Sequence, residues 1–247
     1  MRLPNNFNEQ KKPQLFEKLS ESSLEKLLQN SVMQDYESGR LLVQQGDTPE
    51  YVYLVIEGAL KTFRIESEEG HEATIRMLES GDTCMEAVLF MGCPSPINVQ
   101  TVNPSKILQI PERVIKKHVI EDSQFAVNLL RIVTRHYKNA MHQIDAINIK
   151  SPLQRVGYYF LVKHLDAGHK NLDFDLPFQK QLIANYLGMT PETFSRTLKQ
   201  MKSFGIEIEG EKIKMRDAFS LCHFCDSDTA AICPLHNKEH CRNCLLH

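Results

Sequence analysis

The chain has 247 residues, of which 42% are hydrophobic and 24% are charged, so it can bury a sizeable core and is long enough for two domains. No stretch approaches the roughly 18 apolar residues that cross a bilayer, and the first residues lack the apolar core of a signal peptide. We therefore expect a cytoplasmic protein with no membrane partner. The net charge is only −2, so any surface that binds nucleic acid must be local.

The N-terminal half has the pattern of an antiparallel β structure. A short helical opening from Leu15 to Gln29 precedes β-branched and aromatic runs at 51–56, 60–65 and 73–78. Turn glycines fall 7 to 12 residues apart, which is typical of a jelly roll. These glycines are Gly39, Gly46, Gly58, Gly70 and Gly81. Because no long helix interrupts the pattern, we predict a β-barrel sensor domain over residues 1–121.

A heptad stripe begins near Asp122, where apolar residues follow one another at steps of 4 and 3. Such a narrow seam suits a partner helix better than the broad face of a helix packed on its own domain, which is the alternative. We predict a dimerisation helix over residues 122–150. Its seam consists of Ala126, Leu130, Val133, Tyr137, Ala140, Ile144 and Ile147.

A second domain is predicted over residues 151–219. Ser151 and Pro152 are typical of a helix N-cap and first helical position, and residues 179–202 predict two helices joined by a tight turn. Gly188 can adopt the left-handed conformation that ends the first helix, and Thr190 can cap the second. Alternating runs at 206–208 and 212–215 around a glycine-centred turn then predict a β-hairpin in the position of a wing.

The second helix of this pair has one apolar face and one polar face at helical spacing. Arg196 can donate to a guanine edge and Glu192 can accept from cytosine, whereas lysines of the helix and hairpin can meet phosphates. The alternative to a DNA-binding motif is an ordinary helical hairpin whose charged face is solvated. The predicted DNA-binding residues are Thr190, Glu192, Ser195, Arg196, Lys199, Lys202, Lys212 and Lys214.

This order of elements resembles the CRP/FNR superfamily of transcription regulators over residues 15–219. The resemblance rests on LFEKLS at 15–20, Gly-Asp turns at 46–47 and 81–82, and TPETFSR at 190–196. It implies an α+β protein with a cyclic-nucleotide-binding-like jelly roll, a coiled-coil dimer helix and a winged helix-turn-helix. It further implies that Glu192 and Arg196 form the family's Glu-x-x-x-Arg motif, and Ser195 resembles FNR-like members. A homodimer, a palindromic operator with TTGAT-like half-sites and a partnership with RNA polymerase would follow.

The departures from the family pattern concern the signal. Family members that bind cyclic nucleotides carry Gly-Glu and a later Arg-Ser, but here Met85 precedes Glu86 and residues 95–98 read SPIN, so we do not expect cAMP binding. Residues 1–40 contain no cysteine, so we do not expect the N-terminal iron–sulfur cluster of FNR-like oxygen sensors. Haem is a lesser alternative, because Glu86 stands where carbon monoxide sensors have their histidine. Cys84 and Cys93 are expected to be small core residues.

Five of the seven cysteines lie in the last 26 residues, in a segment over 220–247 that falls outside the family pattern. Two Cys-x2-Cys pairs with a cysteine between them fit a tetrahedral zinc site. They also fit a [4Fe–4S] cluster, which needs four thiolates. A third hypothesis is that the cysteines are metal-free redox thiols. The predicted metal ligands are Cys222, Cys225, Cys233, Cys241 and Cys244.

The sequence thus predicts a DNA-binding regulator that responds to redox or gas signals through this tail. A structural zinc tail with a small-molecule or haem signal in the barrel stays open. A cupin-like enzyme is the competing class, but no His-x-His-with-Glu metal set occurs on the predicted strands.

Overall fold

The computed structural model describes residues 12–65, 70, 72–167, 172–217, 219–226, 229–230 and 233. The chain divides into two compact units, Met1–Ala140 and Met141–His247. Within the part of the chain that the structure describes, no helix is both long and apolar enough to span a membrane.

The first unit is a β-sandwich flanked by helices. All strand pairs are antiparallel, and the two sheets have the strand orders β1-β8-β3-β6 and β2-β7-β4-β5. The elements are α1 (Glu21–Gln29), β1 (Val32–Tyr36), β2 (Leu41–Val43), β3 (Tyr51–Glu57), β4 (Leu60–Ile65), β5 (Glu72–Leu78), β6 (Thr83–Cys84), α2 (Glu86–Met91), β7 (Asn98–Thr101), β8 (Ser105–Pro111), α3 (Glu112–Glu121) and α4 (Ser123–Ile149).

Strand β3 explains why the run at 51–56 is apolar throughout. Side chains alternate between the two faces of a strand. Val52 and Leu54 pack with the helices on one side, whereas Tyr53 and Val55 belong to the cluster between the two sheets. Both faces of this strand are therefore buried, and the predicted jelly roll is confirmed.

The predicted helical opening from Leu15 to Gln29 is wrong in its first part. Gln14–Phe16 form a 3₁₀ turn, and α1 starts only at Glu21. The reason is local, since Lys18 adopts a left-handed conformation with φ of 57° and Ser20 caps the new helix by accepting from the Ser23 N–H. Left-handed backbone cannot continue a right-handed helix.

Helix α4 carries two apolar stripes. Phe125, Leu129 and Ile132 are buried with α1, α3 and β3 in the core of the first unit. The predicted seam lies beside this stripe and is largely exposed, with Leu130 at 66% and Tyr137 at 69%. The helix thus packs on its own domain through one stripe and leaves the other uncovered in the single chain.

The second unit is a small α/β domain. Its elements are α5 (Pro152–Asp166), β9 (Asp173–Asp175), α6 (Lys180–Tyr186), α7 (Pro191–Gln200), β10 (Ile206–Glu209) and β11 (Lys212–Met215), with 3₁₀ turns at Met201–Phe204 and Cys222–Phe224. The sheet has the order β10-β11-β9, and β9 was not predicted from the sequence. Helix α5 begins with a complete capping box, in which Ser151 accepts from the Gln154 N–H and the Gln154 side chain accepts from the Ser151 N–H.

Candidate DNA interface and cysteine turn

Helix α7 separates a packed face from an exposed face. Phe194, Thr197 and Leu198 are buried, and Thr190 caps the helix by accepting from the Thr193 N–H at 3.2 Å. The cap satisfies one of the N–H groups that the first turn leaves without a partner inside the helix. The exposed face presents, together with the cap residue Thr190, the predicted base-reading and phosphate-binding side chains Glu192, Ser195, Arg196 and Lys199.

The turn before α7 is held by a residue that sequence reasoning missed. Gly188 has φ of 63°, the left-handed conformation predicted for it. Arg155 of α5 donates from Nη1 to the carbonyl oxygens of Leu187 at 2.8 Å and Gly188 at 3.2 Å. These carbonyls at the end of α6 need partners outside the helix, so Arg155 fixes the turn that aims α7.

The charges of the exposed face suit DNA reading. The backbone N–H of Glu192 and the hydroxyl of Thr190 donate to the Glu192 carboxylate and, with the charge of Arg196, lower its pKa. Glu192 is therefore ionised at neutral pH and accepts hydrogen bonds only. Nη2 of Arg196 lies 3.4 Å from the Thr193 hydroxyl in an exposed contact. The other N–H donors of the guanidinium are not used in this contact.

The lysines of the hairpin are paired with carboxylates in the chain alone. Lys212 Nζ lies 3.3 Å from Asp173, and Lys214 Nζ lies 2.6 Å from Glu209. The second pair raises the pKa of Lys214 and lowers that of Glu209. The hairpin therefore carries less unpaired positive charge than its sequence indicates.

The remaining residues of the predicted seam are exposed or half-buried. Val133 is half-buried, Ala140 is exposed, Ile144 is 52% exposed and Ile147 is 47% exposed. In the second unit, a side chain on Gly188 would meet Ile147 at 3.6 Å, so this last seam position also lies beside the turn before α7.

The first cysteine pair forms a tight turn. Cys222–Phe224 is a 3₁₀ turn, and the Cys225 N–H donates to the Cys222 carbonyl oxygen at 3.2 Å. A turn of this kind suits a chelating Cys-x2-Cys pair. Cys222, Cys225 and Cys233 are all half-buried, and among the described residues no group of three or more His, Cys, Asp or Glu is arranged to hold a metal ion. Cys241 and Cys244 lie outside the described residues.

The cysteine turn packs on the DNA-binding domain. Phe224 is only 8% exposed, and its ring covers Gly157 of α5 so closely that a Cβ there would lie 2.1 Å from Cγ of the ring. The centre of the Phe224 ring also lies 5.1 Å from the centre of the Phe204 ring, in the 3₁₀ turn that continues α7. The turn therefore connects the two cysteines with the end of the predicted recognition helix.

A second contact joins the tail to the end of α4. Lys150 Nζ lies 3.0 Å from Asp226 and 3.8 Å from the centre of the Tyr158 ring. The Thr229 hydroxyl lies 3.4 Å from that of Tyr158, and Thr229 is 3% exposed. The start of the predicted metal-binding tail is thus part of the fold of the second unit.

The first unit contains a buried charged cluster that sequence reasoning did not find. Glu86 is 1% exposed; its Oε1 lies 2.6 Å from Nδ1 of His136 on α4, and Nε2 of His136 lies 2.7 Å from Nη2 of Arg76. Arginine can only donate, so Nε2 accepts and Nδ1 carries the proton toward Glu86. Burial acts to raise the pKa of Glu86, but the hydrogen bond from His136 and the positive charge of Arg76 hold it below its ordinary value.

The barrel cysteines differ in their surroundings. Cys84 is 1% exposed, and burial, aided by the Glu86 charge, raises its pKa far above the ordinary value. Cys84 is therefore a protonated core thiol, as expected, whereas Cys93 is only half-buried. Where the family motif has Arg-Ser, Ser95 is 2% exposed and its hydroxyl donates to the Ile97 carbonyl oxygen at 2.7 Å.

Comparison with known proteins agrees with this architecture. The sequence matches the cyclic nucleotide-binding domain family over residues 33–122 and the Crp-like helix-turn-helix domain family over residues 154–224. It is 26% identical to the transcriptional activator protein FnrA of Stutzerimonas stutzeri over 191 residues, covering 74% of this chain and 76% of that protein.

Solved structures show the same fold. FixK2 from Bradyrhizobium japonicum superposes with a TM-score of 0.70 at 21% identity, over 80% of this chain and 98% of that chain. A putative cAMP-binding regulatory protein from Silicibacter pomeroyi has a TM-score of 0.58 at 27% identity, over 85% of this chain and 93% of that chain.

A cyclic-nucleotide-binding-type barrel followed by an exposed recognition helix defines a two-domain, DNA-binding transcription regulator rather than an enzyme. The chain belongs to the CRP/FNR family. Membership in this family implies that it dimerises to bind DNA.

Proposed function

We propose that this regulator binds a palindromic operator with TTGAT-like half-sites as a homodimer, and that its DNA affinity depends on the metal or redox state of the cysteine-rich tail. The packing of Phe224 between Gly157 and Phe204 carries this proposal. Cys222 and Cys225 flank Phe224, so a change at either thiol shifts the ring that supports the end of α7. We further propose that it acts in the cytoplasm together with RNA polymerase.

The exposed stripe on α4 supports the dimer. Leu130, Tyr137 and Ile144 are each more than half exposed in the single chain, which is unfavourable for large apolar side chains at helical spacing. A second copy of the same helix would cover them across a two-fold axis. The same axis would place two recognition helices on a palindrome.

The tail supplies thiolates for metal binding. A [4Fe–4S] cluster held there would supply sensitivity to oxygen or nitric oxide, whereas zinc would hold the tail in place without redox chemistry. The residues present fit either group, since Cys222 and Cys225 share one tight turn. Cys233, Cys241 and Cys244 would complete the ligand set.

The test uses protein purified without oxygen. Iron, sulfide and zinc are measured in the wild type and in Cys222→Ser and Cys233→Ser, together with the affinity for a TTGAT palindrome before and after exposure to air or chelator. An allosteric coupling of about 1–3 kcal/mol, or roughly 5- to 150-fold in affinity, is expected for the wild type and should vanish in Cys222→Ser. Cys93→Ser is the matched control and should behave as the wild type.

Cys233→Ser distinguishes the two metals. It should abolish iron binding if a cluster is held by Cys222, Cys225, Cys233 and one of the last two cysteines, but leave zinc unchanged if the two Cys-x2-Cys pairs suffice. Full metal content in Cys222→Ser and Cys225→Ser would contradict the metal site itself.

A second candidate signal is a small polar molecule in the barrel, with the tail as a structural zinc site. The observation in its favour is that Glu86 Oε2 and the hydroxyl oxygens of Thr62, Thr74 and Thr83 are buried without a hydrogen-bond partner among the described residues. Buried polar atoms normally have partners. Air would then leave DNA affinity unchanged, while Glu86→Gln would alter it.

A further inference from the structure

A cavity in the first unit lies between the end of α1 and one face of α3. It has a volume of about 390 Å³, which falls within the range of small-molecule binding pockets. Lys26 of α1 lines it on one side, and Arg113, Lys117 and Glu121 of α3 line it on the other. These three residues of α3 are four apart, so they share one face of the helix. We call this cavity the α1–α3 pocket.

The α1–α3 pocket is also lined by a buried histidine. His118 is 7% exposed, and its Nδ1 lies 3.0 Å from the Val114 carbonyl oxygen. A carbonyl oxygen can only accept, so Nδ1 carries the proton and Nε2 of the neutral ring is an acceptor. Nε2 has no hydrogen-bond partner among the described residues, yet it is not one of the fully enclosed atoms. Because the ring lines the pocket, its lone pair is available to a ligand there.

The rim of the pocket is cationic. In the described part of the chain, Lys26 and Arg113 have no carboxylate at ion-pair distance. Lys117 Nζ lies 3.9 Å from the Glu121 carboxylate, and both side chains are more than half exposed. An exposed pair at this distance is weak, and Glu121 is the one acidic side chain among the described residues that line the pocket. The rim therefore has an excess of positive charge.

These groups together define the chemistry of a ligand. Arginine and lysine donate hydrogen bonds to the oxygens of an anion, whereas Nε2 of a neutral His118 needs a donor. Hydrogen phosphate satisfies both requirements, since its hydroxyl donates and its other oxygens accept. A phosphate ester of a polyol satisfies them too, and the buried Val114 side chain offers an apolar surface for its carbon chain.

We propose that the α1–α3 pocket binds a small phosphate that carries a hydroxyl group. Arg113, Lys26 and Lys117 hold its anionic oxygens, and Nε2 of His118 accepts from its hydroxyl. The ring of His118 packs edge-on against Phe125, with 5.5 Å between the ring centres, and Phe125 is buried in the first turn of α4. The ligand would therefore bind beside the start of the helix that carries the exposed stripe. This inference does not depend on the operator or on the cysteine-rich tail.

The test is isothermal titration calorimetry of the full chain without DNA at pH 8, where imidazole side chains are ordinarily neutral. The probes are inorganic phosphate, glycerol 3-phosphate and sulfate, which has the charge and shape of hydrogen phosphate but no hydroxyl. One phosphate should bind per chain. Sulfate should bind at least about tenfold more weakly, because Nε2 would face an oxygen that cannot donate. The tighter of the two phosphates identifies the source of the ligand, as free phosphate or as a polyol phosphate.

Three variants assign the binding to the pocket. Arg113→Ala removes an exposed side chain and should weaken phosphate binding by about 10- to 100-fold, since a hydrogen bond to a charged group is lost. Lys116→Ala is the matched control, because Lys116 lies on the same helix but pairs with Glu112 at 2.5 Å; it should change the affinity by less than about twofold. His118→Phe should remove the preference for phosphate over sulfate. If this variant does not fold, the comparison of the two anions on the wild type still decides.

Hydrogen exchange locates the bound phosphate. Phosphate should slow exchange in peptides from α1 and α3 and leave peptides from α7 unchanged. Equal affinities of the wild type for phosphate and sulfate, an unchanged affinity in Arg113→Ala, or protection confined to the second unit would each overturn the proposal.

Discussion

The contact between Phe224 and Gly157 allows a quantitative prediction. Replacing Gly157 with Ala places a Cβ 2.1 Å from Cγ of the ring. Ordinary contacts start near 3.4 Å, so the ring must withdraw by about 1.3 Å. Truncating a buried phenylalanine costs about 3–5 kcal/mol, and alanine is about 1 kcal/mol better than glycine inside a helix. Gly157→Ala should therefore destabilise the second unit by about 2–4 kcal/mol, through displacement of the tail.

The decisive experiment is a double-mutant cycle. Phe224→Ala alone should cost about 3–4 kcal/mol, but it also removes the ring that the new methyl group would strike. The double variant Gly157→Ala/Phe224→Ala should thus be no less stable than Phe224→Ala, with a coupling at least as large as the Gly157→Ala loss. Stability is measured by urea unfolding. The chain has no tryptophan whose fluorescence could be used, so unfolding is monitored by hydrogen exchange of peptides from α5.

The control cycle pairs Gly157→Ala with Ile213→Val. Ile213 is fully buried in β11 and is not among the atoms nearest to a Cβ at residue 157. Its loss of about 0.5–1.5 kcal/mol should add to that of Gly157→Ala. If the losses in the Phe224 cycle add within about 0.5 kcal/mol, the cysteine turn does not pack on α5 through the contact between Phe224 and Gly157.

Three further predictions concern the DNA interface, the dimer and the buried carboxylate. Arg196→Ala should cost about 1–3 kcal/mol and flatten discrimination at one base pair per half-site; equal losses on all sequences in a binding-site selection would contradict base reading. Ile144→Asp should give monomers by light scattering, because a charge would face its symmetry mate, while Asn139→Asp stays dimeric; a dimeric Ile144→Asp would exclude the seam. The hydrogen bond from His136 holds the pKa of Glu86 below its ordinary value of 4.5. The ionised carboxylate therefore stabilises the fold fully above the unfolded-state pKa near 4.5. This contribution to stability is lost as pH falls through the lower pKa of the folded state. The stability difference between wild type and Glu86→Gln in urea should therefore shrink below about pH 4.5, and a difference independent of pH would count against a stabilising role of the Glu86 carboxylate.

Local signals in the sequence predicted much of the fold. Gly188, Thr190 and Ser151 act through contacts within a few residues, so their turn and caps could be recognised directly. The seam at Leu130 and Tyr137 was visible for the same reason, as a repeat along one helix.

Features that depend on residues far apart in the chain could not be predicted. Arg155 reaches the carbonyls that follow α6, and Phe224 meets Gly157, but neither pairing leaves a periodic or local signal. The ion pair of Lys212 with Asp173 also requires the unpredicted strand β9 to lie beside β11. A list of basic residues in the sequence therefore overestimated the free charge of the hairpin.

The burial of the cysteine turn affects how this protein can be shortened. Leu221 is fully buried and Phe224 nearly so, which means that a chain ending near residue 219 would lose part of the hydrophobic core together with the cysteines. Such a chain would expose the surface around Gly157 and Phe204, and its weaker DNA binding would report misfolding rather than absent metal. Single cysteine-to-serine substitutions, which retain the Leu221 and Phe224 side chains in the chain, are therefore the sound way to remove the thiols.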